Sequence, residues 1–240
     1  MLPSLAPLIL DGSNGVRTQL VKLLRTLPNA EVEGHVSLLL PYIRAGMTHL
    51  ASDIRVSSVE TLSWLLATAG QEVVASEGGW AKTLNCFLSL LGWHTEESAK
   101  WSSNRASFGK AGTEGKPMAR AMQVLTEFLR VGIGNEADNE GETSDNGQGP
   151  DTSRGFPLHD TLHHFIPDKS APFAYLSLFG QPKDDESQMY ESGEDRLRVF
   201  SQKYQQPVER GVNAAKKDGG EIGRAAAGLG KVLRDATSQL

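Results

Sequence analysis

The chain has 240 residues, with 24 Lys and Arg against 29 Asp and Glu for a net charge of −5, and 39% of its residues are hydrophobic. Cys86 stands alone, so no intramolecular disulfide framework is possible; no Asn-x-Ser/Thr sequon occurs and no apolar run approaches the ~18 residues of a membrane span. No basic region followed by an apolar core and a cleavage site opens the sequence, so the expectation is a soluble intracellular protein, part globular and part polar linker.

In chain order, the opening MLPSLAPLIL reads as a helix, short for a repeat helix and with an uncapped apolar side. Repeat arrays need a polar cap, so further sequence is expected before it. Val36, Leu39, Leu40, Ile43, Met47 and Leu50 then recur at steps of three and four on one helix face. Val56, Val59, Leu62, Leu65 and Leu66 do the same on the next segment. Trp80 to Leu91 predicts a helix with Leu84, Phe87, Leu88 and Leu91 inward. Residues 117–132 predict its partner, with Pro117 in the first turn and Met122, Leu125, Phe128 and Leu129 inward. Between them, 94–116 is a Ser-, Gly- and Lys-rich insertion. Val/Ile alternation at period two is absent, so the fold class is all-α.

A repeat underlies the first half. A shift of 38 brings Pro3 onto Pro41, Leu5 onto Ile43 and Ile9 onto Met47. The same shift brings Val16-Arg17 onto Ile54-Arg55, Val21 onto Val59, Leu24 onto Leu62 and Leu27 onto Leu65. Two helices per unit at this period predict a HEAT/armadillo-like α-solenoid. In such units an arginine like Arg17 or Arg55, with an acid such as Asp11 or Asp53 nearby, ties the inter-helix turn to its neighbour.

Residues 135–151 hold six acids and no Lys or Arg, and have no large apolar residue. Such a stretch cannot offset its ordering entropy by burial, so 135–155 is expected to be a disordered acidic linker between repeats over 1–134 and a helical C-terminal region over 156–240. A second acidic cluster lies between Asp184 and Asp195. The segment GFPLHDTLHHFIPDKSAPFAYLSLFG is broken by Pro157, Pro167 and Pro172 and predicts short helices docking on the end of the repeats. A helix starting near 193 is expected to be kinked or broken at Pro207. Ile222, Ala226, Leu229 and Leu233 keep helical spacing to the end. Six glycines from Gly211 to Gly230 make this tail a poor helix by itself, so it either folds on a partner or frays.

His159 and His163 stand at the i, i+4 spacing of a zinc-protease helix, but Asp160 replaces the longer Glu and no third ligand is evident. Gly109 to Lys116 has five residues between its glycines where a phosphate loop has four, and Pro117 stands where the magnesium-binding hydroxyl would be. Cys86 lies between Leu84 and Phe87 on an apolar face, and is expected to be buried and unreactive. Trp64, Trp80 and Trp93 fall at core positions, whereas Trp101 lies in the insertion, where it can anchor a partner. The reading is not an enzyme, with no metal and no cofactor.

Three stretches resemble a known family. Ala45-Gly-Met-Thr-His-Leu, Asp53-Ile-Arg55 and Leu62-Ser-Trp64-Leu-Leu form the first. Trp80-Ala-Lys-Thr-Leu84 with Leu90-Leu-Gly-Trp93 and Ser107-Phe-Gly-Lys110 form the second. Ala214-Ala-Lys-Lys-Asp-Gly-Gly with Gly223-Arg-Ala-Ala-Ala-Gly form the third. Together they are similar to the eukaryotic pre-rRNA-processing Ipi family, called testis-expressed protein ten in animals. The resemblance implies a HEAT-like scaffold subunit of the nuclear Rix complex, acting in removal of the internal transcribed spacer and in assembly of the large ribosomal subunit. It implies protein partners: a WD-repeat propeller, a larger helical scaffold, the pre-ribosomal particle and, indirectly, a dynein-related AAA ATPase. Family members usually begin with a Lys-rich region that this chain does not show.

The net charge of −5 makes rRNA contact secondary, since phosphate contacts need clustered Lys and Arg. Expected partner-binding residues are Trp101, Arg105, Phe108 and Lys110 in the insertion, and Lys216, Lys217 and Arg224 in the tail. They lie outside the repeat core and carry contact-type side chains. The alternative is a generic helical-repeat adaptor in nuclear transport or in chromatin or replication complexes. The same periodicity supports it, and only the family motifs argue against it.

Overall fold

The computed structural model describes residues 2–93, 115–134 and 186–237. These residues form one compact unit, and among them every regular element is helical. The all-α expectation therefore holds for them.

Helix α1 (Leu2–Leu5) runs straight into a 3-10 segment, Ala6–Leu10, with Pro7 in its first turn. Then follow α2 (Asn14–Leu24), α3 (Asn29–Glu33), α4 (Val36–Met47) and α5 (Ser52–Ala75). Next are α6 (Ala81–Leu91), α7 (Gly115–Ile133) and α8 (Gly193–Val199). A π-turn, Phe200–Tyr204, leads into α9 (Gln205–Asp218), and α10 (Gly220–Thr237) closes the described chain.

The apolar spacing chose the buried faces. Val36, Leu39, Leu40, Ile43 and Met47 of α4 are buried, as are Leu84, Phe87, Leu88 and Leu91 of α6. Met122, Leu125, Phe128 and Leu129 of α7 are buried with them. Leu50 departs from its expected face because α4 ends at Met47, which leaves Leu50 exposed in the turn that follows. Helix α5 bends at Ala69, whose φ of −142° and ψ of 43° leave the helical region just before Gly70 meets Val131 of α7.

Contacts order the helices into pairs. The 3-10 segment packs on α2, α4 on α5, α6 on α7, and α9 on α10. The first members also touch in succession, the 3-10 segment with α4, α4 with α6, and α6 with α9. So do the second members, α2 with α5, α5 with α7, and α7 with α10. Two layers thus share one core.

Physical chemistry explains the C-terminal half. Pro207 has no N–H to give to the carbonyl of Lys203, and a widened turn over Phe200–Tyr204 absorbs that loss immediately before α9. The expected break at Pro207 therefore takes the form of a π-turn. Between α9 and α10 the chain turns through Gly219 and Gly220, at φ of 70° and 60°, a region that side chains with a Cβ rarely enter. Gly211 serves a different need, since the indole of Trp93 occupies the space a Cβ there would fill. The glycine-rich tail is ordered by its own chain: Ile222, Ala226, Leu229 and Leu233 are buried as α10 lies between α7 and α9. Packing an apolar stripe outweighs the poor intrinsic propensity of its glycines.

Candidate interaction surfaces

Three buried arginines build the turns that set these surfaces in place. Arg17 Nη1 donates to the carbonyl of Asp11, six residues back, at 2.5 Å. Arg55 Nη1 donates to His49 O, again six back, at 2.9 Å, and to Leu50 O at 2.7 Å. Arg196 Nη1 donates to Tyr190 O at 2.7 Å and Glu191 O at 2.9 Å, which are six and five back. Each arginine also donates its own backbone N–H to the residue four back: Ser13, Ala51 and Ser192. The six-back side-chain bond and the four-back N–H bond are therefore common to DGSNGVR, HLASDIR and YESGEDR.

Arg17 and Asp53 behave as the sequence reading of the first two arginines anticipated. Arg17 Nη2 reaches Asp53 Oδ2 at 2.5 Å and so joins the turn before α2 to the start of α5. The hydrogen bond from Arg17 holds the Asp53 carboxyl below its ordinary pKa. Sequence reading misses Arg196, because it lies far from the 38-residue repeat. The signal that could have found it is an arginine four residues after a Ser cap, as at Ser13 and Arg17.

Arg196 sits beside an aromatic cluster. Its Nε donates to Gly132 O at 2.6 Å, at the end of α7. Its own carbonyl accepts the Nε1–H of Trp80 at 3.1 Å. Trp80 stacks on Phe128 at 5.0 Å between centroids and meets Phe200 at 6.5 Å. Tyr204 donates its hydroxyl to Ala81 O at 3.3 Å, and burial pushes that phenol's pKa well up. Trp80 is core, as expected, while Trp64 and Trp93 are half-buried against it.

Two surfaces differ sharply. The first is the face of α9 and α10. Lys216, Lys217 and Arg224 are all exposed there, with Lys231 and Arg234. A groove between the two helices is lined by Glu209, Val212, Asn213, Lys216, Leu233 and Arg234. The ammonium of Lys216 lies against Gly230 at its floor. Three of the sequence-chosen residues thus lie on one helix pair. Trp101, Arg105, Phe108 and Lys110 lie outside the described residues, as do His159, His163 and the acidic stretch 135–155.

The second surface is a groove on the first pair, lined by Leu5, Leu8, Val16, Leu20 and Leu23 with Ser13, Gly15 and Gln19. No charged side chain lines it. Sequence reading found its uncapped apolar side but did not select its residues as a binding site.

Burial pushes the Cys86 thiol up to about 11, and its Sγ faces Arg44 O at 4.0 Å. Arg120 bridges α7 to α5 through Glu60, at 2.8 and 3.0 Å, and lies 3.6 Å from Glu127. Among the described residues no three His, Cys, Asp or Glu side chains gather as a metal set, and no helix is long and apolar enough to cross a membrane.

Comparison with known proteins adds a consistent set of relatives. A family model described as "Rix1 complex component involved in 60S ribosome maturation" matches residues 30–129. The pre-rRNA-processing protein ipi1 of Aspergillus oryzae is 58% identical over 99% of this chain and 64% of its own length. The protein of the same name from Aspergillus fumigatus is 57% identical over 98% of this chain and 69% of its own. That of Chaetomium thermophilum is 43% identical over 98% and 67%. The chain thus spans about two thirds of the length of these relatives.

Proposed function

The chain belongs to the pre-rRNA-processing Ipi1 family, and from that membership we propose that it acts in rRNA processing and large-subunit maturation as a non-catalytic scaffold subunit. The observation that carries the proposal is the 57% identity to the Aspergillus fumigatus protein over nearly the whole chain. We read the paired helices as a HEAT-like solenoid. The 38-residue repeat, the arginine frame common to positions 17 and 55, and the successive contacts within each layer support that reading.

On this reading the chain works by binding protein, in the nucleus. Its partners are subunits of the Rix1 complex, a WD-repeat propeller and a larger helical scaffold, held on a large-subunit precursor. The AAA ATPase is engaged indirectly, and internal transcribed spacer removal depends on the assembled particle. Direct rRNA contact is secondary, because the net charge is −5 and the exposed cations of α9 and α10 are interleaved with Glu209, Asp218, Glu221 and Asp235. We assign partner contacts to Lys216, Lys217 and Arg224, and to Trp101, Arg105, Phe108 and Lys110 in the insertion.

Affinity purification of the tagged chain from nuclear extract, with and without RNase, tests the proposal. The expected result is recovery of the propeller and scaffold subunits in both conditions, with large-subunit precursors lost after RNase. Recovery of chromatin factors without either subunit would instead favour the adaptor reading. A Lys216→Glu, Lys217→Glu chain that assembles and binds precursors like wild type would remove the tail from the contact surface.

A further inference from the structure

The repeat itself indicates what covers the uncharged groove on the first helix pair. Under the shift of 38, Leu5, Leu8, Val16, Leu20 and Leu23 correspond to Ile43, Gly46, Ile54, Ser58 and Thr61 in the second pair. All five counterparts are buried. The first pair contributes directly to that cover. Its 3-10 segment packs on α4 and its α2 packs on α5. A Cβ placed on Gly46 would lie 3.2 Å from Leu10 Cδ2. In the first pair Leu20 is buried and Leu5 and Leu8 are half-buried, but two positions lack such cover: Val16 is 37% and Leu23 47% exposed, against 4% for Ile54 and 3% for Thr61.

The groove is also more apolar than its counterpart. Leu20 and Leu23 replace Ser58 and Thr61, and Leu8 replaces Gly46. Gly15 stands where the second pair has Asp53, the acceptor for Arg17 of the pair before it. A matching occupant therefore needs aliphatic contact and no arginine at that place.

We infer that this groove is an inter-repeat face that takes a further helix pair of the same geometry, with an aliphatic, uncharged contact side. Sequence that can supply it exists in the longer relatives, since about a third of the Aspergillus oryzae protein lies outside its match to this chain. The inference depends on the groove and the repeat and not on the assembly role proposed above.

The probe is the purified unmatched sequence of the Aspergillus oryzae protein, added to the 240-residue chain and read by calorimetry. Wild type is expected to bind it, a Val16→Glu, Leu23→Glu chain at least tenfold more weakly, and a chain altered at the exposed Glu72 of α5, Glu72→Lys, like wild type. Both altered side chains are solvent-exposed, and thermal melts check that the fold is kept. Hydrogen exchange gives a second readout that does not need the probe to fold alone. The segment matching α1 and α2 should exchange more slowly in the full-length relative than in this chain. Equal exchange in the two proteins, or binding indifferent to the double substitution, would overturn the inference. So would a reversible dimer of the wild-type chain that the double substitution abolishes, because the occupant would then be a second copy.

Discussion

The first and last helix pairs border the same core, yet they are held to it differently and show opposite surfaces. The first pair joins its neighbour through aliphatic packing and the ion pair of Arg17 with Asp53, whose carboxylate side chain is 58% exposed. The last is held by the packing of α10 on α7 and through the run that leads into it, where Phe200 meets Trp80, itself stacked on Phe128, and the buried fork of Arg196 reaches the end of α7. The outer side of the first pair is an uncharged groove, while the last carries Lys216, Lys217 and Arg224 outward. Surfaces thus vary from one helix pair to another while one local device is kept, an arginine that closes the turn before a helix.

The strongest way to break this contrast is Trp80→Ala. It removes a fully buried indole stacked on Phe128 and should cost about 3–5 kcal/mol of unfolding free energy in a urea titration. Loss of protection in hydrogen exchange should centre on α7 to α10. A result under ~1 kcal/mol would mean that the aromatic cluster does not anchor the last pair.

Next comes the arginine frame. Arg196→Ala leaves the carbonyls of Tyr190, Glu191 and Gly132 without this donor and should cost about 3 kcal/mol. Arg55→Ala, which frees His49 O and Leu50 O, should cost about 2 kcal/mol by the same reasoning. Equal losses would show that the link from Arg196 to α7 adds nothing to the turn itself.

A smaller effect separates the ion pair from packing at the first pair. The Asp53 carboxyl is held below its usual range by Arg17, so the stabilisation it brings is complete above the unfolded carboxylate pKa of ~4 and fades as pH falls through the lower folded value. Wild type should exceed Asp53→Asn in stability near neutral pH, and the gap should close in strong acid. A gap that is constant with pH would mean that the Asp53→Asn change acts through shape rather than charge.

The smallest effect is at Cys86, between the two ends. With its thiol pushed up to about 11, roughly one in a thousand is ionised at pH ~8, so a disulfide reagent should label it far more slowly than a free thiol. Fast labelling of the folded chain at that pH would place Cys86 in a more open setting than the side of α6.

Helices α4 and α5 were legible because a helical period exposed them. Leu39, Ile43, Val59 and Leu62 recur at steps that only a helix can put on one side. The tail was harder to read. Gly211, Gly223, Gly228 and Gly230 lower helix propensity, and no local pattern says that α7 supplies the surface on which α10 forms. The residues proposed for contact divide in the same way. Lys216 and Arg224 stand out by type and exposure, whereas the groove of Leu5, Val16 and Leu23 looks like ordinary core until the structure shows which side of the pair is bare.

By itself the sequence determined the apolar helices from Val36 to Leu129 and their inward faces, because periodicity is a local property; for Arg17 it offered Asp11 or Asp53 as the nearby acid. Tertiary structure decided that Arg196 repeats the turn device of Arg55, that Trp80 ties α6 to α8 across 116 residues of sequence, and that a glycine-rich tail becomes a helix of the core. Those outcomes depend on packing between segments far apart in the chain, where burial of an apolar face outweighs the local preference of each residue.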